Sequence, residues 1–189
     1  MIRGIVFDCF GVLTADLWHE FLDSLPANID KSAVSDIHRE YGAGRISKQH
    51  CHDSIMRITG TEFTEMEDIT DHKIAKNTAL LRYIKELSKN YSIGLLSNVG
   101  NNWLREDFLT LEEQSLFKAM VLSFEVGHNK PEPIMYTTIC ERLGLQSTEV
   151  LYIDDMATYC SAAESLGMKS VQYINYEQCH RDIELSIKD

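Results

Sequence analysis

Ile2-Arg3-Gly4-Ile5-Val6-Phe7-Asp8-Cys9-Phe10-Gly11-Val12-Leu13 is the stretch whose reading decides the fold. The apolar run Ile5-Val6-Phe7 ends abruptly in the carboxylate of Asp8, and Gly11 shortly afterwards permits a sharp turn. That pattern describes a buried strand delivering an acid to the edge of a sheet. In a doubly wound α/β fold, ligands sit outside the carboxyl ends of the strands, so an acid there faces a site and not the core. Asp8 is therefore the candidate reacting group. Cys9 follows it on the opposite face of the strand and reads as a small buried residue.

Working outward, the rhythm changes after Leu13. Leu17, Trp18, Phe21, Leu22 and Leu25 follow helical spacing up to Pro26; Ser32 is expected to cap a second helix carrying Val34, Ile37 and Tyr41. Cys51, Ile55 and Ile58 suggest a third helix, and Thr64-x-x-Glu67 has the form of a capping box opening a fourth segment with Met66 and Ile69. No strand is expected between about Ala15 and about Asn77. From Thr78 strands and helices alternate. A helix through Leu80, Ile84 and Leu87 feeds the strand Ile93–Leu96, which ends at Ser97-Asn98. A helix from Trp103 to Leu111 precedes the strand Ala119–Phe124 and the loop Gly127–Pro131. Met135, Ile139 and Leu143 form a helix closed by Gly144, and the strand Val150–Ile153 ends in Asp154-Asp155. A helix through Ala162, Ala163 and Leu166 closes at Gly167, the strand Ser170–Ile174 follows, and a last helix from Tyr176 turns Cys179, Ile183 and Ile187 inward. Alternation at this spacing means a parallel sheet with right-handed crossovers. The expected organisation is an α/β core over residues 1–14 and 78–189, with an inserted all-helical segment over residues 15–77.

Composition narrows the function classes. At 189 residues, 44% hydrophobic and 25% charged, the chain has the make-up of a globular protein with one full core and a small accessory module. Lys and Arg number 18 against 29 Asp and Glu, and the net charge of -11 disfavours nucleic acid and anionic membrane as partners. The chain opens directly on its first strand and carries no apolar run approaching a membrane span, which makes a cytoplasmic location the expectation. The five cysteines contain no CxxC pair and read as reduced thiols.

Asp8, then Ser97-Asn98, then Asp154-Asp155 stand at strand ends, with Lys130 on a loop among them. Taken singly, an Asp after a strand is commonly a turn or cap residue and a loop lysine is commonly solvated. In this order they resemble the haloacid dehalogenase-like hydrolase superfamily. Its first motif is similar to Asp8-Cys9-Phe10-Gly11-Val12, its second to Ser97, its third to Lys130 within Lys130-Pro131-Glu132-Pro133, and its fourth to Asp154-Asp155. The resemblance implies a Rossmann-like core with the helical segment as a cap over the site. It also implies Mg²⁺ held by Asp8, the Phe10 carbonyl and Asp155, with Asp154 nearby or acting through water. Asp8 would attack phosphorus, and Ser97, Asn98 and Lys130 would bind and neutralise the phosphoryl group of a small phosphorylated metabolite.

Phe10 departs from the pattern. The family's phosphatases have a second Asp there, acting as acid and base, and phenylalanine cannot transfer a proton. Three readings follow: a Mg²⁺-dependent phosphatase or phosphotransferase impaired on alkyl esters, a 2-haloacid dehalogenase-type carbon–halogen hydrolase, or a catalytically weak binding protein. The first is favoured because the retained acidic pair Asp154-Asp155 argues for a retained cation. Cap candidates to reach the site are Arg39, Arg45, His50 and His52, and their spacing does not choose among them. The oligomeric state is left open.

Overall fold

β1 (Gly4–Phe7) is buried along its whole length and lies at the centre of a parallel sheet. The computed structural model describes residues 1–61 and 75–188. In chain order the helices α1 (Leu17–Ser24), α2 (Lys31–Gly42) and α3 (Lys48–Thr59) follow β1, and α4 (Thr78–Leu87) leads into β2 (Ser92–Ser97). The short α5 (Leu111–Gln114) precedes β3 (Ala119–Leu122), which runs directly into α6 (Ser123–Val126). Then come α7 (Pro133–Leu143), β4 (Val150–Asp154), α8 (Ala157–Ser165), β5 (Lys169–Gln172) and α9 (Tyr176–Ser186).

The five strands pair in the order β3-β2-β1-β4-β5, all parallel, as expected for a doubly wound α/β sheet. Alternation along the strands divides the core into two layers. Ile5, Phe7, Ile93, Leu95, Leu151 and Ile153 join one apolar cluster, covered by Leu80, Leu81, Ile84 and Leu87 of α4 and by Cys179 and Ile183 of α9. Val6, Leu96, Val150 and Tyr152 join the other, covered by α7 and by Ala163 of α8. Burying such a side chain stabilises the fold by roughly 1.5–3 kcal/mol, so both faces of β1 hold the sheet together. The register sets Phe7 beside Ile153 on one side and Leu95 on the other, which brings the carboxyl ends of β1, β2 and β4 together. The strand order reverses here, where open α/β sheets bind their ligands.

Between β1 and α4 the described residues contain helices and no strand of the sheet. α1 to α3 bury their own cluster of Leu25, Val34, Tyr41, Cys51 and Ile55. The chain leaves and re-enters the core side by side: the Asn77 amide N–H donates to Leu13 at 2.8 Å, and the Asn77 side chain donates to Val12 at 3.0 Å. The capping box at Thr64 and Glu67 lies outside the described residues. Gly144 closes α7 in the left-handed conformation, and all five cysteines are buried thiols outside any disulfide.

Four local expectations are corrected. Asp30, not Ser32, caps α2, accepting from the amides of Ser32 and Ala33, because a carboxylate also favours the positive end of the helix. A single helix from Trp103 to Leu111 gives way to a π-turn over Leu104–Phe108 and a separate α5, since Thr110 takes extended backbone and forms a capping box with Glu113. β3 stops at Leu122, not Phe124, where the Ser123 hydroxyl accepts from Val99 N at 2.8 Å and the chain turns into α6. β5 spans Lys169–Gln172, not Ser170–Ile174, because its pairing partner β4 ends opposite Gln172 at Asp154.

Candidate active site

Asp8 leaves β1 with its own amide donating to Ile153 at 2.9 Å, while the Cys9 amide donates to Asp8 Oδ1 at 2.6 Å. The side chain is buried and pinned at the rim of the sheet. Gly11 then turns at φ 84°, a conformation that L residues avoid. A Cβ there would lie 2.3 Å from Asp155 Oδ2, so glycine is also what lets the β4 loop approach the β1 loop.

Lys130 is 3% exposed, far from the solvated lysine its sequence context permits. Its Nζ lies 2.8 Å from Asp8 Oδ1 and 2.7 Å from Asp154 Oδ2. Asp154 is fully engaged: besides Lys130 it accepts from the Tyr152 hydroxyl, and its Oδ1 accepts from Met156 N at 2.8 Å. Asp155 differs, because its Oδ1 is buried among the described residues without a hydrogen-bond partner. The carboxylates of Asp8, Asp154 and Asp155 offer oxygens within 4.8 Å of one another.

Charge explains the protonation tendencies. Burial pushes the Asp8 carboxyl up, the Lys130 ammonium pulls it down and Asp154 pushes it up again, leaving it well above the ordinary carboxylate range. Burial works against the Lys130 ammonium, but the carboxylates of Asp154 and Asp8 outweigh it and keep the lysine charged. Asp155 is pushed up to about 6, first by burial and then by the neighbouring charges of Asp154 and Asp16. One ammonium faces three carboxyl groups, and the upward shifts of Asp8 and Asp155 mark a cluster short of positive charge, which a divalent cation would supply. The residues fit such an ion: the donors are hard oxygens, one Asp155 oxygen is orphaned, and the Phe10 carbonyl accepts no hydrogen bond among the described residues.

The other expected site residues fall as follows. Ser97 ends β2 fully buried, its hydroxyl unpartnered among the described residues, leaving a donor in reserve. Asn98 lines the cavity but its amide holds the Lys130 backbone, which makes it a positioning residue in this geometry. The Phe10 ring lies nearly parallel to Trp103, with centroids 6.1 Å apart.

A cavity of about 340 Å³ opens above this cluster, with Asp8, Lys130 and Asp155 in its walls. Phe10, Trp103 and Tyr159 line it from the core, and Leu17, Trp18, Leu22, His38 and Tyr41 from α1 and α2. Arg39 also reaches it, whereas Arg45, His50 and His52 do not; Arg45 is paired with Glu40 instead. The sequence reading missed Asp16 and His19, which line the cavity together. The available signal was an Asp three residues before a His at a helix start, the spacing at which a cap side chain meets the first turn.

Fold and cavity define the class, an α/β protein with its polar centre at the strand ends of a doubly wound sheet. Residues 31–173 match the haloacid dehalogenase-like hydrolases, and the chain belongs to that family. It is similar to the D-ribitol-5-phosphate phosphatase of Bacteroides thetaiotaomicron, 26% identical over 91% of this chain and 92% of that protein. It is also similar to the phosphorylated carbohydrates phosphatase of Thermotoga maritima, 22% identical over 90% of this chain and 84% of that one. A family enzyme of Bacteroides thetaiotaomicron, crystallised as a magnesium complex, shares the fold at a TM-score of 0.71, with 22% identity and coverage of 96% and 98% of the two chains.

Proposed function

We propose that the protein is a Mg²⁺-dependent phosphatase that releases phosphate from a small phosphorylated metabolite through a covalent aspartyl-phosphate at Asp8. The observation that carries this reading is the orphaned Asp155 oxygen beside Asp8 and Asp154, in a cluster of three carboxyl groups with Lys130 as the ammonium among them. The names of the two phosphatase relatives support it. A carbon–halogen hydrolase working through Asp8 alone has no use for that surplus of carboxylates.

In this reading Asp8, Asp155 and the Phe10 carbonyl hold the ion, with Asp154 behind them fixing Lys130. The bound cation would neutralise the repulsion between Asp8 and the incoming phosphate dianion. Asp8, oriented by the Cys9 amide, attacks phosphorus. The Ser97 hydroxyl donates to a phosphoryl oxygen, and Lys130 balances the charge that spreads over the phosphoryl group in the transition state. Residues 15–77 act as the cap, closing the cavity to bulk water and shaping it around the rest of the substrate. Phe10 supplies no proton.

A screen of alkyl, acyl and aryl phosphates and 2-haloacids, with Mg²⁺ and with excess chelator, tests the reading. Phosphate release that needs Mg²⁺ and disappears in Asp8→Asn is expected. Halide release without metal, and no phosphate release, would overturn it in favour of the dehalogenase chemistry.

A further inference from the structure

Asp16 binds one residue with both of its oxygens. Its Oδ1 accepts from the His19 backbone N–H at 3.1 Å, which caps α1, and its Oδ2 meets His19 Nδ1. Capping requires only the first of these contacts. The second orients the imidazole: a carboxylate at Nδ1 favours the form with the proton there, and Nε2 is left without a hydrogen-bond partner among the described residues. Both side chains line the cavity that also holds Asp8 and Lys130. The aspartate is sheltered, its side chain 18% exposed, while the ring is more open at 44%. A sheltered carboxylate behind a half-open imidazole is the arrangement by which an acid orients a histidine for proton transfer.

We propose that His19 is the general acid and base for phosphoryl transfer at Asp8, with Asp16 as the residue that positions it, in place of the acid that Phe10 cannot be. The proposal rests on the reading of Asp8 as nucleophile. In the first step an Asp8 oxygen bonds to phosphorus, the ester P–O bond breaks, and its electron pair goes to the leaving oxygen, which takes the proton from His19 Nε2. The products are an alcohol, aspartyl-phosphate and neutral imidazole. In the second step a water oxygen bonds to phosphorus and gives a proton to Nε2, the P–O bond to Asp8 breaks, and the electron pair returns to the carboxylate. Inorganic phosphate leaves, and the imidazolium is restored for the next cycle. Asp16 keeps the Nδ1 proton throughout and stabilises the imidazolium.

The surroundings suit this role. The Asp16 hydrogen bond raises the His19 pKa, burial opposes it, and the charges of Asp16, Asp155 and Asp23 raise it further, a shift toward the acid form. From α2, His38 and Arg39 face the same cavity, and Asp8 and Lys130 face it from the core. The two cations work against protonation of the ring and the carboxylates favour it.

The experiment compares the parent, His19→Gln, Asp16→Asn and Asp8→Asn with Mg²⁺ on 4-nitrophenyl phosphate, phenyl phosphate and glycerol phosphate, using the intact chain and checking each variant's fold by circular dichroism. In His19→Gln, kcat/KM is expected to fall roughly 10²–10³-fold on the alkyl ester and under about tenfold on the nitrophenyl ester. Loss of the base for the second step should also produce a burst of nitrophenol before slow turnover. Asp16→Asn should move the alkaline limb of the kcat/KM profile to lower pH, and added imidazole should restore part of the activity of His19→Ala. If His19→Gln keeps the parent's ratio between alkyl and nitrophenyl esters and shows no burst, while Asp8→Asn is inactive, the role of His19 is overturned and the nucleophile stands. If Asp8→Asn retains activity, or the parent releases no phosphate at all, the underlying phosphatase reading fails instead.

Discussion

The Asn98 side chain grips the Lys130 backbone on both sides: Oδ1 accepts from Lys130 N at 2.8 Å, and Nδ2 donates to Lys130 O at 3.2 Å. The end of β2 thereby sets where the loop places the lysine, and Ser97 and Lys130 reach the cluster as one unit. Asn98→Ala leaves the buried Lys130 N–H unsatisfied, which costs about 1–3 kcal/mol. Because the ammonium is no longer fixed, kcat is expected to fall roughly 10²-fold while the chain still folds. Urea unfolding and steady-state kinetics check the two effects separately, and unchanged kcat would show that the loop holds Lys130 without Asn98.

Lys130→Met removes the ammonium shared by Asp8 and Asp154. Breaking a buried ion pair from one side costs roughly 3–5 kcal/mol, and that loss is the expected drop in unfolding free energy at neutral pH. The sign with pH follows from Asp8, whose carboxyl already lies above the ordinary range and rises further when the ammonium that pulls it down is gone. The folded variant then binds more protons than the unfolded chain, and its stability falls as pH rises. The deficit against the parent should therefore be smaller near pH 5 than near pH 8. A deficit independent of pH would mean the cost is one of packing alone.

The sheet was readable in the sequence because its strands are short apolar runs bounded by turns, and the doubled alternation of strand and helix leaves few topologies open. Asp8, Ser97, Lys130 and Asp154-Asp155 were readable because each stands at or just beyond the end of such a run or on the loop between two of them. The burial of Lys130 was not, since it depends on where Asn98 and Asp154 lie across the fold. Asp16 and His19 escaped notice for a related reason: their local signature is that of an ordinary helix cap, and only the cavity distinguishes them. The helix ends that shifted, at Asp30 and Thr110, did so where neighbouring short polar residues compete to cap and spacing alone does not rank them.

The pair of His19 and Asp16 should also leave a mark on stability. The His19 pKa is raised in the folded chain, chiefly by the Asp16 hydrogen bond, so the pair contributes fully below the unfolded histidine value of about 6.5. That contribution is lost as pH rises through the raised folded value. The ring is 44% exposed, so solvent screening keeps the effect small. The difference in urea midpoint between parent and His19→Gln is expected to narrow on going from about pH 5 to about pH 9. A constant difference would mean that the proton on His19 does not matter to the cap.

Phe10 lines the cavity beside Asp8, and its ring pairs with Trp103. Replacing it by Asp loses that contact and part of its burial, an expected cost of about 1–3 kcal/mol in unfolding free energy. Its effect on rate depends on whether another group already moves the proton. With His19 in place, Phe10→Asp adds a redundant acid and should change kcat/KM on an alkyl phosphate by under about tenfold. In the His19→Gln background the same substitution supplies the missing acid, and a gain of roughly 10²-fold is expected, largest for the poorest leaving group. The nitrophenyl ester should respond little in either background, because its leaving group departs without a proton. Equal gains in both backgrounds would show that Phe10 and His19 act independently, and that the histidine does not carry the proton the alkyl ester needs.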